Sequence, residues 1–99
     1  MKVELRYIDG CPNWIIADAR LLEALLLTGH DDVKVHRTRV ETPEQAESLG
    51  LIGSPTVLID GLDPFASGAE LGGLACRVYL TPEGLAGSPT LEQLLEVLS

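Results

Sequence analysis

The chain has 99 residues, 45% of them apolar, and a formal charge of −8 from 15 acids against 7 bases. That length suits one small domain, residues 1–99, with one hydrophobic core, and the apolar share is too high for a disordered chain. The acidic balance argues against nucleic acid and against an anionic membrane as partners, because both demand a basic surface.

The first run, Lys2 to Ile8 (KVELRYI), alternates and carries β-formers, so it is predicted as a strand. It lacks the continuous apolar stretch and cleavage site of a signal peptide, and no run has the length to span a bilayer; the expectation is a cytoplasmic protein. Residues 12–29 are predicted as a helix. Ile15, Ala19, Leu22 and Leu26 fall at helical spacing, Pro12 suits the first position, and Gly29 suits the cap beyond the end.

Val33 to Val40 is predicted as an edge strand, where its charges are tolerated. Thr42 to Gly50 is predicted as a short helix with Thr42 as N-cap. Thr56 to Asp60, mostly apolar, is predicted as a central strand. Cys76 to Leu80 is predicted as a fourth strand, antiparallel to the third, and Thr90 to Leu98 as a closing helix with Leu91, Leu94, Leu95 and Leu98 as its stripe. The order βαβαββα predicts an α/β domain: a four-stranded mixed sheet with helices on both faces. Two Gly-rich segments, Gly61 to Leu74 and Thr81 to Pro89, exceed what such a domain needs.

The chemistry centres on Cys11, in IDGCPNW, between the first strand and the first helix. Unpaired N–H groups and the positive end of the helix dipole favour thiolate there, and the thiolate is the nucleophile. The competing reading is a small apolar residue at a helix start. A second signal is Ile52 to Thr56 (IGSPT). Pro55 directly before a central strand is compatible with a cis Ser54–Pro55 bond, and also with an ordinary proline at a strand start.

Strand, cysteine at a helix start, edge strand, helix and Ser-Pro-Thr leading into the third strand together resemble the thioredoxin fold over nearly the whole chain. Residues 9–14 (DGCPNW), GSPT, the Asp63-Pro64-Phe65 run, CRVY and TPEGLAGSPT resemble more closely a group of small bacterial thioredoxin-like proteins, some with selenocysteine at the position of Cys11. The resemblance implies a thiol redox protein. Cys11 would be the nucleophile in thiol–disulfide exchange or peroxide-type oxidation. Pro55 would be a cis-proline facing it, with Ser54 and Thr56 contacting an extended substrate. The partners implied are protein or small-molecule thiols and disulfides, with no resident cofactor or metal.

One departure matters. Thioredoxins carry C-x-x-C, and the second cysteine is here Trp14. Either Cys11 acts as a monothiol, or Cys76 resolves it from elsewhere in the fold. Cys76 is equally a candidate for strand packing, unless Gly68, Gly72 and Gly73 bring it to Cys11. Trp14 is either an apolar wall for a substrate or core. The rival to catalysis is a binding module of the same fold, holding a thiol-reactive metal or a partner peptide. His30 and His36 lack ligand spacing, and Asp63-Pro64-Phe65 is either a turn closing over the site or only a turn.

Overall fold

A computed structural model describes residues 1–66 and 74–99. It is mixed α/β, and the described residues form, in chain order, β1 (Val3–Tyr7), α1 (Asn13–Leu27), β2 (Val35–Arg39), α2 (Pro43–Leu49), β3 (Thr56–Ile59), β4 (Tyr79–Thr81), β5 (Gly84–Ala86) and α3 (Leu91–Leu98). The sheet has the order β2-β1-β3. β1 runs parallel to β2, with Val3 opposite Val35, and antiparallel to β3, with Leu5 opposite Val57.

Alternation along β1 divides the two faces. Val3 and Leu5 point to the side covered by α1 and α3, and with Val57, Ala17, Leu21, Ala24, Leu25, Leu94 and Leu98 they form the main core. Glu4 and Arg6 point to the other side, where Arg6 donates to the Leu49 carbonyl at the end of α2 at 2.7 Å. Burial pushes the Glu4 carboxyl up. Hydrogen bonds from Arg6 and Thr38, with the charges of Arg6 and Lys2, outweigh that and hold it below the usual carboxylate range. A smaller cluster of Val40, Ala46 and Leu51, with Ile8 against it, seats α2.

The helices begin and end where their local chemistry directs. Thr42 accepts from the Gln45 N–H at 3.1 Å, Pro43 follows, and Gly50 closes α2 in the left-handed region at φ 67°. In α3, Thr90 and Gln93 form a reciprocal capping box. Thr90→Ala is expected to lower stability by about 1 kcal/mol, because it orphans the Gln93 N–H. An unchanged urea midpoint would show that the cap is dispensable.

Two expectations are corrected. The first concerns α1. Ile15, Leu22 and Leu26 are 59%, 46% and 64% exposed, and the buried residues of the helix are Ala17, Leu21, Ala24 and Leu25. Asp18 pairs with Arg37 of β2 at 2.7 Å, and Arg20 donates to Ser88 Oγ and the Pro89 carbonyl at 3.1 and 2.9 Å. These contacts fix the rotation of the helix, and Ala17 and Ala24 let it close on the sheet. The second stripe is left facing solvent.

The other correction concerns the fourth strand. Among the described residues the sheet has three strands, and β4 pairs antiparallel with β5 in a separate hairpin rather than with β3. Thr81 donates its hydroxyl to the Gly84 carbonyl at 2.6 Å and accepts the Glu83 N–H at 3.2 Å, so Thr-Pro-Glu-Gly makes the turn. Cys76 lies before β4 and makes only an isolated parallel bridge to Ser54. Gly68, Gly72 and Gly73 lie outside the described residues. Among the described residues, no helix is long and apolar enough to cross a membrane.

Candidate functional site: two adjoining cysteines

Cys11 closes a turn after β1, its N–H reaching the Ile8 carbonyl at 3.3 Å, and Pro12 then caps α1. Its side chain is turned inward and is 0% exposed. The thiol donates to the Ser54 carbonyl at 3.4 Å. Ser54 is equally buried, and its Oγ accepts the Ile8 N–H at 3.0 Å, which ties the Cys11 turn to the segment leading into β3. The Ser54–Pro55 peptide bond is cis.

The Cys76 segment lies directly alongside. The Ser54 N–H donates to the Ala75 carbonyl at 2.8 Å, and the Arg77 N–H donates to the Ser54 carbonyl at 2.8 Å. Ser54 O thus accepts from both Cys11 and Arg77, and Cys76 sits between the two backbone bonds. Cys11 Sγ is bonded to the carbonyl of Ser54, the residue that Cys76 bridges, so the two thiols adjoin. The Cys76 thiol is pushed above its ordinary value, first by a hydrogen bond with the Cys11 side chain, then by partial burial and by the Cys11 charge. Both cysteines are free thiols, Cys11 buried and Cys76 exposed.

Three further contacts hold this arrangement. Gly53 adopts φ +122°, and a Cβ there would lie 2.8 Å from Arg77 Cβ, so only glycine lets the two segments approach. Tyr79 donates its hydroxyl to the Pro55 carbonyl. Arg77, 4% exposed, pairs with Asp63 at 2.6 Å, lies 4.4 Å from the Tyr79 ring centroid, and reaches Thr56 Oγ1 at 3.4 Å. Asp63 also accepts the Phe65 N–H at 2.9 Å, and the Phe65 and Tyr79 rings meet edge to face at 5.8 Å. The Asp63-Pro64-Phe65 turn therefore braces the Cys76 segment.

The edge expected to hold a substrate is occupied by the chain itself. Ser54, Pro55 and Thr56 are all buried. The backbone groups of Ser54 and the carbonyl of Pro55 are bonded to Ala75, Arg77 and Tyr79, and the Thr56 hydroxyl donates to the Gly53 carbonyl at 2.6 Å. Trp14 stacks on Tyr7 with ring centroids 4.1 Å apart and packs against the main core. An open cleft of about 370 Å³ is lined by Asp9 and Gly10, which precede Cys11, by Leu74, and by Arg39, Val40 and Glu41 at the end of β2. Its rim is polar, since Arg39 is ion-paired with both Asp9 and Glu41.

Sequence reasoning passed over Arg77 and Tyr79 as site residues. Their signal was the run Cys76-Arg77-Val78-Tyr79, which belongs to the resemblance and which β propensity also explains. Searches with the chain against protein-family models, curated proteins and solved structures found no match.

Proposed function

We propose that this chain is a thioredoxin-like thiol redox protein whose Cys11 and Cys76 pass between dithiol and disulfide, in exchange with the thiols and disulfides of proteins or small molecules. The observation that carries the reading is the adjacency of the two thiols across the Ser54 carbonyl. Other features agree with it. Cys11 leads into α1 from the end of a strand parallel to its neighbour β2, β3 is antiparallel, and Pro55 stands directly before β3. In this reading the Cys76 segment takes the place of a fourth strand beside the start of β3. Trp14 occupies the position of the second cysteine of a C-x-x-C motif, so a disulfide within the chain recruits Cys76. A reducing compartment such as the cytoplasm would keep the pair as thiols between turnovers.

Stoichiometric diamide, followed by unfolding, alkylation and intact-mass measurement, tests the pair. The expected product is monomer lighter by two hydrogens, with neither cysteine alkylated. Monomer with both cysteines alkylated would reject the dithiol and leave a binding module of the same architecture.

A further inference from the structure

We infer that Cys76 attacks an incoming disulfide and that Cys11 resolves the product. The inference rests on the dithiol reading above and reverses the roles that helix position alone assigns. Cys11 stands at the helix start, yet its sulfur is 0% exposed and bonded to a carbonyl of its own chain. An external disulfide must bring one of its sulfurs into contact with the attacking atom, and Cys11 offers it no face. Cys76 is exposed and lies on the outer segment of the pair. Its raised thiol slows reaction at neutral pH by lowering the thiolate fraction, but the thiolate that forms is the stronger nucleophile.

The step balances as an ordinary exchange. Cys76 loses its proton to solvent, and its sulfur attacks a disulfide R–S–S–R′. The Cys76–S–S–R bond forms, and R′S⁻ leaves and takes up a proton. Cys11 then gives up the proton it shares with the Ser54 carbonyl, and its sulfur attacks Cys76 Sγ. The Cys11–Cys76 bond forms, and RS⁻ leaves. The protein loses two electrons and two protons, and the external disulfide gains both. The burial of Cys11 suits the second role, because a resolving thiol needs only to reach its neighbour.

The test uses one equivalent of 2,2′-dithiodipyridine and follows released thiopyridone in wild type, Cys11→Ser and Cys76→Ser. Wild type is expected to release two thiopyridones and retain no probe. Cys11→Ser should still release one thiopyridone, no more slowly than the first wild-type release because the Cys11 contact that raises the Cys76 thiol is gone, and should hold the other half of the probe on Cys76. Cys76→Ser should react about ten-fold more slowly or worse, as accessibility governs thiol reactivity. A fast Cys76→Ser beside a slow Cys11→Ser overturns the order of attack and leaves the dithiol standing. Wild type that releases one thiopyridone and keeps the probe overturns the dithiol itself. Competitive iodoacetamide labelling of native wild type with peptide mapping needs no variant: Cys76 is expected to label first, and Cys11 labelling first, or both equally, rejects the inference.

Discussion

Asp63→Ala is expected to lower stability by about 3–5 kcal/mol, the range for removing one partner of a buried ion pair. Arg77 is nearly closed to solvent, and Asp63 accepts from its Nη1 at 2.6 Å and its Nη2 at 3.4 Å. Without the carboxylate, a buried guanidinium loses an acceptor at both Nη1 and Nη2. The loss should appear as a lower urea midpoint at unchanged slope, followed by fluorescence of Trp14, which is the single tryptophan of the chain. Asp63→Asn keeps an acceptor and the Phe65 turn but not the charge, and should fall between the two. A midpoint shift below about 1 kcal/mol, the worth of an exposed pair, would show that the buried guanidinium does not depend on Asp63. The same variant should form the Cys11–Cys76 disulfide more slowly, because Asp63 braces the residue that follows Cys76.

Gly53→Ala is expected to cost about 2–4 kcal/mol. A side chain at φ +122° carries backbone strain of about 1–3 kcal/mol. Its Cβ would also press against Arg77 Cβ at 2.8 Å and Cα at 3.2 Å, and that neighbour is main chain or its first carbon, which cannot swing aside. The relief available is a parting of the 53–54 and 75–77 segments, which separates the thiols. Leu94→Ala is the control: it removes a fully buried side chain of the main core, to which neither cysteine belongs, at a similar cost of about 2–5 kcal/mol. Disulfide yield after mild oxidation should fall in Gly53→Ala and hold in folded Leu94→Ala. Equal yields in the two variants would break the link between Gly53 and the pair.

Much of the architecture is local and was open to reading. Alternation set β1, and Val3 and Leu5 are buried as it demands. Thr42 with Pro43, and Thr90 with Gln93, started their helices through hydrogen bonds that span three residues, so nothing distant was needed to place them. The β4–β5 turn is also legible, since Pro82 and Gly84 are turn residues between two short β runs, and the hairpin accounts for part of the Thr81 to Pro89 segment that exceeds a four-stranded domain.

The sequence by itself therefore determined β1, β2, β3 and the three helices, and that Cys11 stands between β1 and α1. It did not determine which of two adjacent apolar stripes α1 would bury, because periodicity describes a helix face without naming its neighbour. Contacts to Arg37, Ser88 and Pro89 chose the stripe. Nor did spacing say that Cys76 would meet Cys11, or that the thiol at the helix start would be the buried one. Those outcomes rest on Gly53, Ser54, Asp63, Arg77 and Tyr79, which meet across long stretches of chain. The physical reason is the same for each: capping and alternation act within a turn or a strand, whereas exposure and the meeting of two sulfurs are set by which segments pack together.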